Sequence, residues 1–288
     1  MARLRSSPEL LTSSFKLISA SRAGLAGFAI LAFYIVMTII GPILRPLDTI
    51  PKPHKMYLPP SWEHPLGTDN EGRDILSEVV CGASSVLYVA FLAAATTVLI
   101  ATLLGSLAGF KGGIIDSCMM SIVDILLTIP QFPLMAILSG IMRLDDSSLA
   151  LLIGLLSWPA LARAIRSQVL SLKERDFIEA AKALGLGAGH IVLVELMPNL
   201  MPYVAVNFAF AMISAVYTQV GLVFLGLVPF RSYNWGVMIN LAWVRGAIYY
   251  RNSVYYILSP IMAIVGFELG AIMLARGLEL LFNPRLRE

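Results

Sequence analysis

Apolar runs of membrane-spanning length constrain this chain more than any other feature. A helical span takes about 20 predominantly apolar residues. Six such runs lie at about 24–44, 79–110, 114–142, 147–166, 197–228 and 254–281. Backbone groups inside a bilayer find no water, so runs of this length are predicted to be helices. Composition points the same way: 58% of residues are hydrophobic and 14% charged, against about 45–50% and 25% in soluble domains. The chain therefore reads as an all-α membrane protein with six transmembrane helices. Gly41-Pro42 and Pro46 stop the first run, and Pro130 and Pro133 interrupt the third. The first run is long enough to span and no small-residue cleavage site closes it, so an uncleaved first span is expected. Cys81 and Cys118 fall in or beside apolar runs and make no disulfide framework.

Lysine and arginine set the expected orientation. Of 21, 13 fall on the side that holds residues 1–22, 111–113, 163–195 and the C-terminal end, and eight on the other. The positive-inside rule then places both termini and the loop at about 166–195 in the cytoplasm. The expected organisation is a cytoplasmic segment 1–23, a first transmembrane helix 24–44 and an external segment 45–78. A core of five further spans follows at 79–282, with a cytoplasmic tail at 283–288. Residues 229–253 are read as a second external polar segment. The net charge of +3 is small, and basic residues sit at the ends of apolar runs. That is topology, with the lipid bilayer as partner, and no nucleic acid is expected.

The loop at 166–195 carries a short amphipathic pattern. Asp176 suits an N-cap, and Glu179 stands three residues later as in a capping box. Phe177, Ala181 and Leu184 share one face, with Ile178 beside it. Gly185 can take the left-handed conformation that ends a helix. A helix of two to three turns is marginal alone in water. It needs a surface, either lipid headgroups or another protein. No G-x-x-x-x-G-K-[ST] sequence occurs, so this chain is not expected to bind ATP itself. Gly185-Leu186-Gly187-Ala188-Gly189 looks like a dinucleotide loop, but a helix precedes it and no acidic residue stands at 205–210, so no cofactor is assigned.

Glu179-Ala180-Ala181, Gly185 and Met197-Pro198 resemble the EAA loop of ABC importer permeases, the membrane subunits of ATP-driven uptake systems. The departures are Met197, where leucine is usual, and Glu195, where histidine is frequent. His64-Pro65-Leu66-Gly67-Thr68-Asp69 with Gly72-Arg73-Asp74 is similar to the external segment of permeases for dipeptides, oligopeptides and nickel, of the "C" type. Phe224-Leu225-Gly226-Leu227, Asn234-Trp235-Gly236 and the terminal Asn283-Pro284-Arg285 resemble further segments of that group, with Val228, Asn234 and Asn283 as departures. The resemblance covers about residues 40–285.

It implies the type I importer permease fold with a cytoplasmic coupling helix. Asp176, Phe177, Glu179, Ala180, Ala181, Leu184 and Gly185 would then contact the ATPase. The implied partners are a second homologous permease, two ATP-binding cassette ATPase subunits and an extracellular substrate-binding protein. The implied cargo is short peptides, with oligosaccharides or nickel as alternatives. The chain would be a transport subunit of the cell membrane, with no catalytic residue, cofactor or metal of its own.

Asp116, Asp124, Glu195, Glu268 and Arg276 lie in or near apolar runs. Charges inside a bilayer usually face protein or water. Asp124 and Glu268 are the deeper ones, and either line a translocation path or bond between helices. Gly105 and Gly109 suit close helix packing. His54, His64 and His190 lack metal-ligand spacing. An ion-coupled secondary transporter would show inverted repeats and paired broken helices, which are not visible. An intramembrane enzyme would need a nucleophile and base at one depth, and Ser84-Ser85 and Ser147-Ser148 have no such histidine.

Overall fold

The computed structural model describes residues 21–142, 144–228 and 233–282. Nearly all of the basic N-terminal segment and the Asn283-Pro284-Arg285 motif lie outside the described residues. The helices are α1 (Arg22–Leu44), α2 (Ile75–Lys111), α3 (Gly113–Thr128), α4 (Gln131–Ile141), α5 (Asp146–Lys173) and α6 (Asp176–Ala183). They continue as α7 (Ala188–Phe224), α8 (Trp235–Val244) and α9 (Val254–Phe282). Five of them, α1, α2, α5, α7 and α9, are long and apolar enough to cross a membrane. Helices α3 and α4 pass that test together as one span bent by 76°. The bend has a local cause. Ile129 and Pro130 are extended, as a residue before proline and a proline ahead of a helix prefer to be.

Helix α2 is the spine, packed most extensively on α5 and also on α7, while α1 packs on α9. The α2–α5 crossing is close because its surface is small. A Cβ built on Gly105 would meet the Ala162 carbonyl oxygen at 2.5 Å. One on Gly154, from the opposite helix, would meet Thr96 Cβ at 2.6 Å. Without a hydrophobic drive between helices in lipid, such approach is what holds them together. The Tyr34 hydroxyl donates to the Ala263 carbonyl at 2.6 Å and ties α1 to α9.

Several boundaries differ from the sequence reading. The fourth span runs on to Lys173 rather than ending near 166, and α7 begins at Ala188 through a π-helical stretch, Ile191–Leu196. The segment 229–253 contains a helix, α8, that the polar reading missed. Its ten mostly apolar residues are too few to span, so a search for spans passes over it. The Asn234 side chain starts it by accepting from the Val237 N–H at 3.0 Å. Trp235 is fully buried and donates its indole N–H to the Val79 carbonyl at 2.9 Å.

Candidate functional site

Helix α6 projects at the end of the bundle where α5 stops and α7 starts. Its first helical residue is Asp176, and the residue ahead of it, Arg175, is the N-cap in an extended conformation. The expected capping box is therefore not formed: no side chain caps this end. The Arg175 carbonyl instead accepts from the N–H groups of Ile178 at 2.9 Å and Glu179 at 3.3 Å. With the helix one residue longer than expected, the Asp176 and Glu179 carboxylates lie in its first turn and act on its positive end as charges.

The other end follows the expected stop. Gly185 has φ +72°. Its N–H donates to the Lys182 carbonyl at 2.9 Å, and the next N–H, of Leu186, reaches the Ala181 carbonyl at 3.2 Å. These two bonds are those of a Schellman motif. Nothing lies within 4 Å of the position a Gly185 Cβ would take. Only the backbone conformation calls for glycine here.

The apolar face divides in a way the periodicity did not reveal. Ile178 is 0% and Ala181 4% exposed, packed into a cluster that includes Ile165 and Val169 of α5 and Ile191, Leu196 and Leu200 of α7. Phe177 at 36% and Leu184 at 78% are exposed, and Ala180 is exposed with them. Ala181 therefore does not share the outward face with Phe177 and Leu184. The apolar stripe spans residues 177, 178, 181 and 184, wider than one contact needs. The bundle takes one edge of it and leaves the other open.

The deeper ionisable residues are paired differently from each other. Asp124 of α3 accepts from Arg163 of α5, and both side chains are half exposed or more. Lower on the same two helices Arg166 makes a bidentate pair with Asp116, both bonds 2.5 Å. The Lys173 ammonium caps this layer by donating to the Phe110 carbonyl at 2.8 Å. Glu268 of α9 is 7% exposed and accepts from the Tyr217 hydroxyl of α7. It thus bonds between helices, on elements separate from those that hold Asp124. The sequence reading missed Arg163 and Arg166 as partners. Two arginines three residues apart at the end of an apolar run are the signal for such partners in the sequence.

The opposite end is built by residues 45–74, and the 64–74 motif is its frame. Thr68 and Asp69 are 0% exposed. One Asp69 oxygen accepts the N–H groups of Glu71 at 2.8 Å and Arg73 at 2.7 Å. Burial pushes the Asp69 carboxyl above its ordinary range, against the pull of those N–H groups. Asp74 caps α2 by accepting the Ser77 N–H at 2.9 Å, and the His64 ring lies 3.2 Å from its other oxygen. The buried Tyr256 hydroxyl donates to Asn70 at 3.1 Å, which fixes α9 to this segment.

A bundle of six spans, one of them broken, with a short helix displayed between the fourth and fifth spans, is the architecture of a multi-pass transport permease. Residues 101–288 match the family described as binding-protein-dependent transport system inner membrane component. The chain is 34% identical over 231 residues to the dipeptide transport system permease protein DppC of Bacillus subtilis, covering 79% of this chain and 72% of that one. It is 30% identical over 278 residues to DppC of Alkalihalophilus pseudofirmus, covering 95% and 90%. It is 30% identical over 223 residues to the oligopeptide transport system permease protein OppC of Bacillus subtilis, covering 77% and 73%. The chain belongs to the binding-protein-dependent transport permeases, the membrane subunits of ABC importers, and has their type I fold.

Proposed function

We propose that this chain is one of two permeases that together enclose a translocation path for short peptides, and that α6 is the contact through which cytoplasmic ATPases act on it. The observation that carries the second half is the division of α6. Ile178 and Ala181 fix the helix to α5 and α7, while Phe177, Ala180 and Leu184 stay open at the end of the bundle. A helix anchored on one edge moves with the spans it is anchored to. The peptide reading rests on relatives described as dipeptide and oligopeptide permeases.

In this reading both termini and α6 face the cytoplasm, and residues 45–74 and α8 face outside, where an extracellular binding protein delivers its load. Two ATPase subunits close on ATP, draw the docked helices together and bias the permease pair toward its outward-open state. ATP acts on the chain only through that contact, because a ligand shifts an equilibrium only by its differential affinity for the two states. The resemblance that suggests this assembly also makes residues 79–282 its core, with 45–78 an external segment and 1–23 and 283–288 cytoplasmic.

Reconstitution with the partner permease, the ATPases and the binding protein tests it. ATP-dependent uptake of labelled di- and oligopeptides is the expected result, with no nucleotide binding by the isolated chain. Uptake without the ATPases overturns the coupling reading. Uptake of an oligosaccharide or of nickel, with peptides excluded, overturns the peptide assignment.

A further inference from the structure

The ion pair between Arg163 and Asp124 sits where lipid cannot surround it. Helix α5 is about 42 Å long against about 30 Å of hydrocarbon. Both residues lie about 15 Å from the α6 end of their helices, at 1.5 Å per residue. For a helix centred on that hydrocarbon slab, this is about 9 Å inside it. Their side chains are 49% and 64% exposed. A long arginine side chain can reach toward a headgroup, but a two-carbon aspartate cannot. Charges at that depth face protein or water.

The same side of α5 continues into a groove. Ser157, Asn207 and Ser214, with the apolar Ile153, Leu161 and Phe210 between them and Ala160 and Ala164 of α5 beside them, line a space of about 320 Å³ between α5 and α7. No charged residue lines it. Ser157, Ala160, Ala164 and Ser167 follow one another at helical spacing, and Arg163 stands at the edge of their face. They therefore form one stripe on α5. Leu151 and Leu155, on the other side of the helix, are apolar and exposed, as lipid requires.

We infer that this stripe lines the water-filled path, with the neutral groove above and the Arg163–Asp124 pair as a charged station below it, and with the second permease facing it across the water. The inference rests on the permease reading and deepens it. The groove is largely apolar, and its few hydroxyls and one amide pair with peptide backbone and ignore the sign of a side chain. The station carries both signs and is balanced only while both are present.

Thiol accessibility in the assembled complex tests the lining. Cys81 and Cys118 are first replaced by serine. A charged, membrane-impermeant methanethiosulfonate needs a hydrated thiolate to react with. Ala160→Cys and Ser167→Cys are expected to react at least about tenfold faster than Leu155→Cys, since a thiol in hydrocarbon does not ionise. Equal rates, or reaction at Leu155→Cys alone, overturn the lining. Asp124→Asn tests the station, with Asp124→Glu as the charge-keeping control. It leaves Arg163 unbalanced, so the uptake ratio of acidic to basic peptides is expected to rise several-fold, and the control to keep the parental ratio. An unchanged ratio in Asp124→Asn, or the same shift in Asp124→Glu, overturns the station. Loss of peptide uptake by the parental assembly would overturn the peptide assignment alone, since the accessibility contrast is read without transport.

Discussion

Gly185 offers a clean separation of backbone conformation from packing. Its φ of +72° lies in the left-handed region, and the space beside it is empty. A side chain there meets no neighbour, so a substitution is penalised only by the backbone. For an L-residue with a Cβ that penalty is about 1–2 kcal/mol. Asparagine tolerates the conformation, because its short polar side chain bonds locally. A β-branched valine is the worst placed. An eight-residue helix has little stability of its own to absorb the loss. The penalty therefore passes into the population of the correctly ended helix, and at about 1.4 kcal/mol per factor of ten it lowers that population roughly five- to thirty-fold. The apparent affinity for the ATPase falls by the same fraction. We expect Gly185→Asn to keep most ATPase association and uptake, Gly185→Ala to lose part and Gly185→Val to lose most, with membrane insertion unchanged in all three. The assay is co-purification of the ATPases at limiting concentration, beside ATP-driven uptake in proteoliposomes. Valine equal to glycine, or asparagine as damaging as valine, would refute the reasoning.

Phe177→Asp and Leu184→Asp place a charge on the open side of α6 and are expected to abolish uptake while the chain still folds, whereas Ile178→Asp buries a charge at a cost of several kcal/mol and lowers the yield of folded protein; identical behaviour of the three variants would refute the divided face. Single cysteines at positions 55 and 182 should be labelled from outside intact cells at 55 and spared at 182, and the reverse pattern would overturn the orientation. The raised Asp69 carboxyl binds its proton more tightly in the folded than in the unfolded chain. Its contribution to stability is thus complete below the unfolded value and lost as pH rises through the folded one. Asp69→Asn keeps the acceptor oxygen for Glu71 and Arg73, so the thermal midpoint in detergent should depend less on pH in the acid range than the parental protein's; an unaltered dependence would remove Asp69 from the account.

The spans were legible in the sequence because partition into a bilayer is a sum over neighbouring residues. The order of the helices, the break at Pro130 and the glycine stop at Gly185 follow from residues within a turn of each other. The 64–74 motif was visible as a pattern of Gly, Asp and Arg. That it forms a frame under α9 depends on Tyr256, which arrives from 186 positions away. The periodicity of residues 176–185 gave α6 an apolar stripe. Which edge of that stripe turns inward was decided by where α5 and α7 stand, and they took Ile178 and Ala181. Asp124 and Glu268 looked alike as lone acids in apolar runs. One met Arg163 on an open face and the other met Tyr217 between helices. Local chemistry fixes what a segment is, because its causes lie within the segment. The direction a side chain faces has its cause in distant segments, and only the packed bundle brings those together.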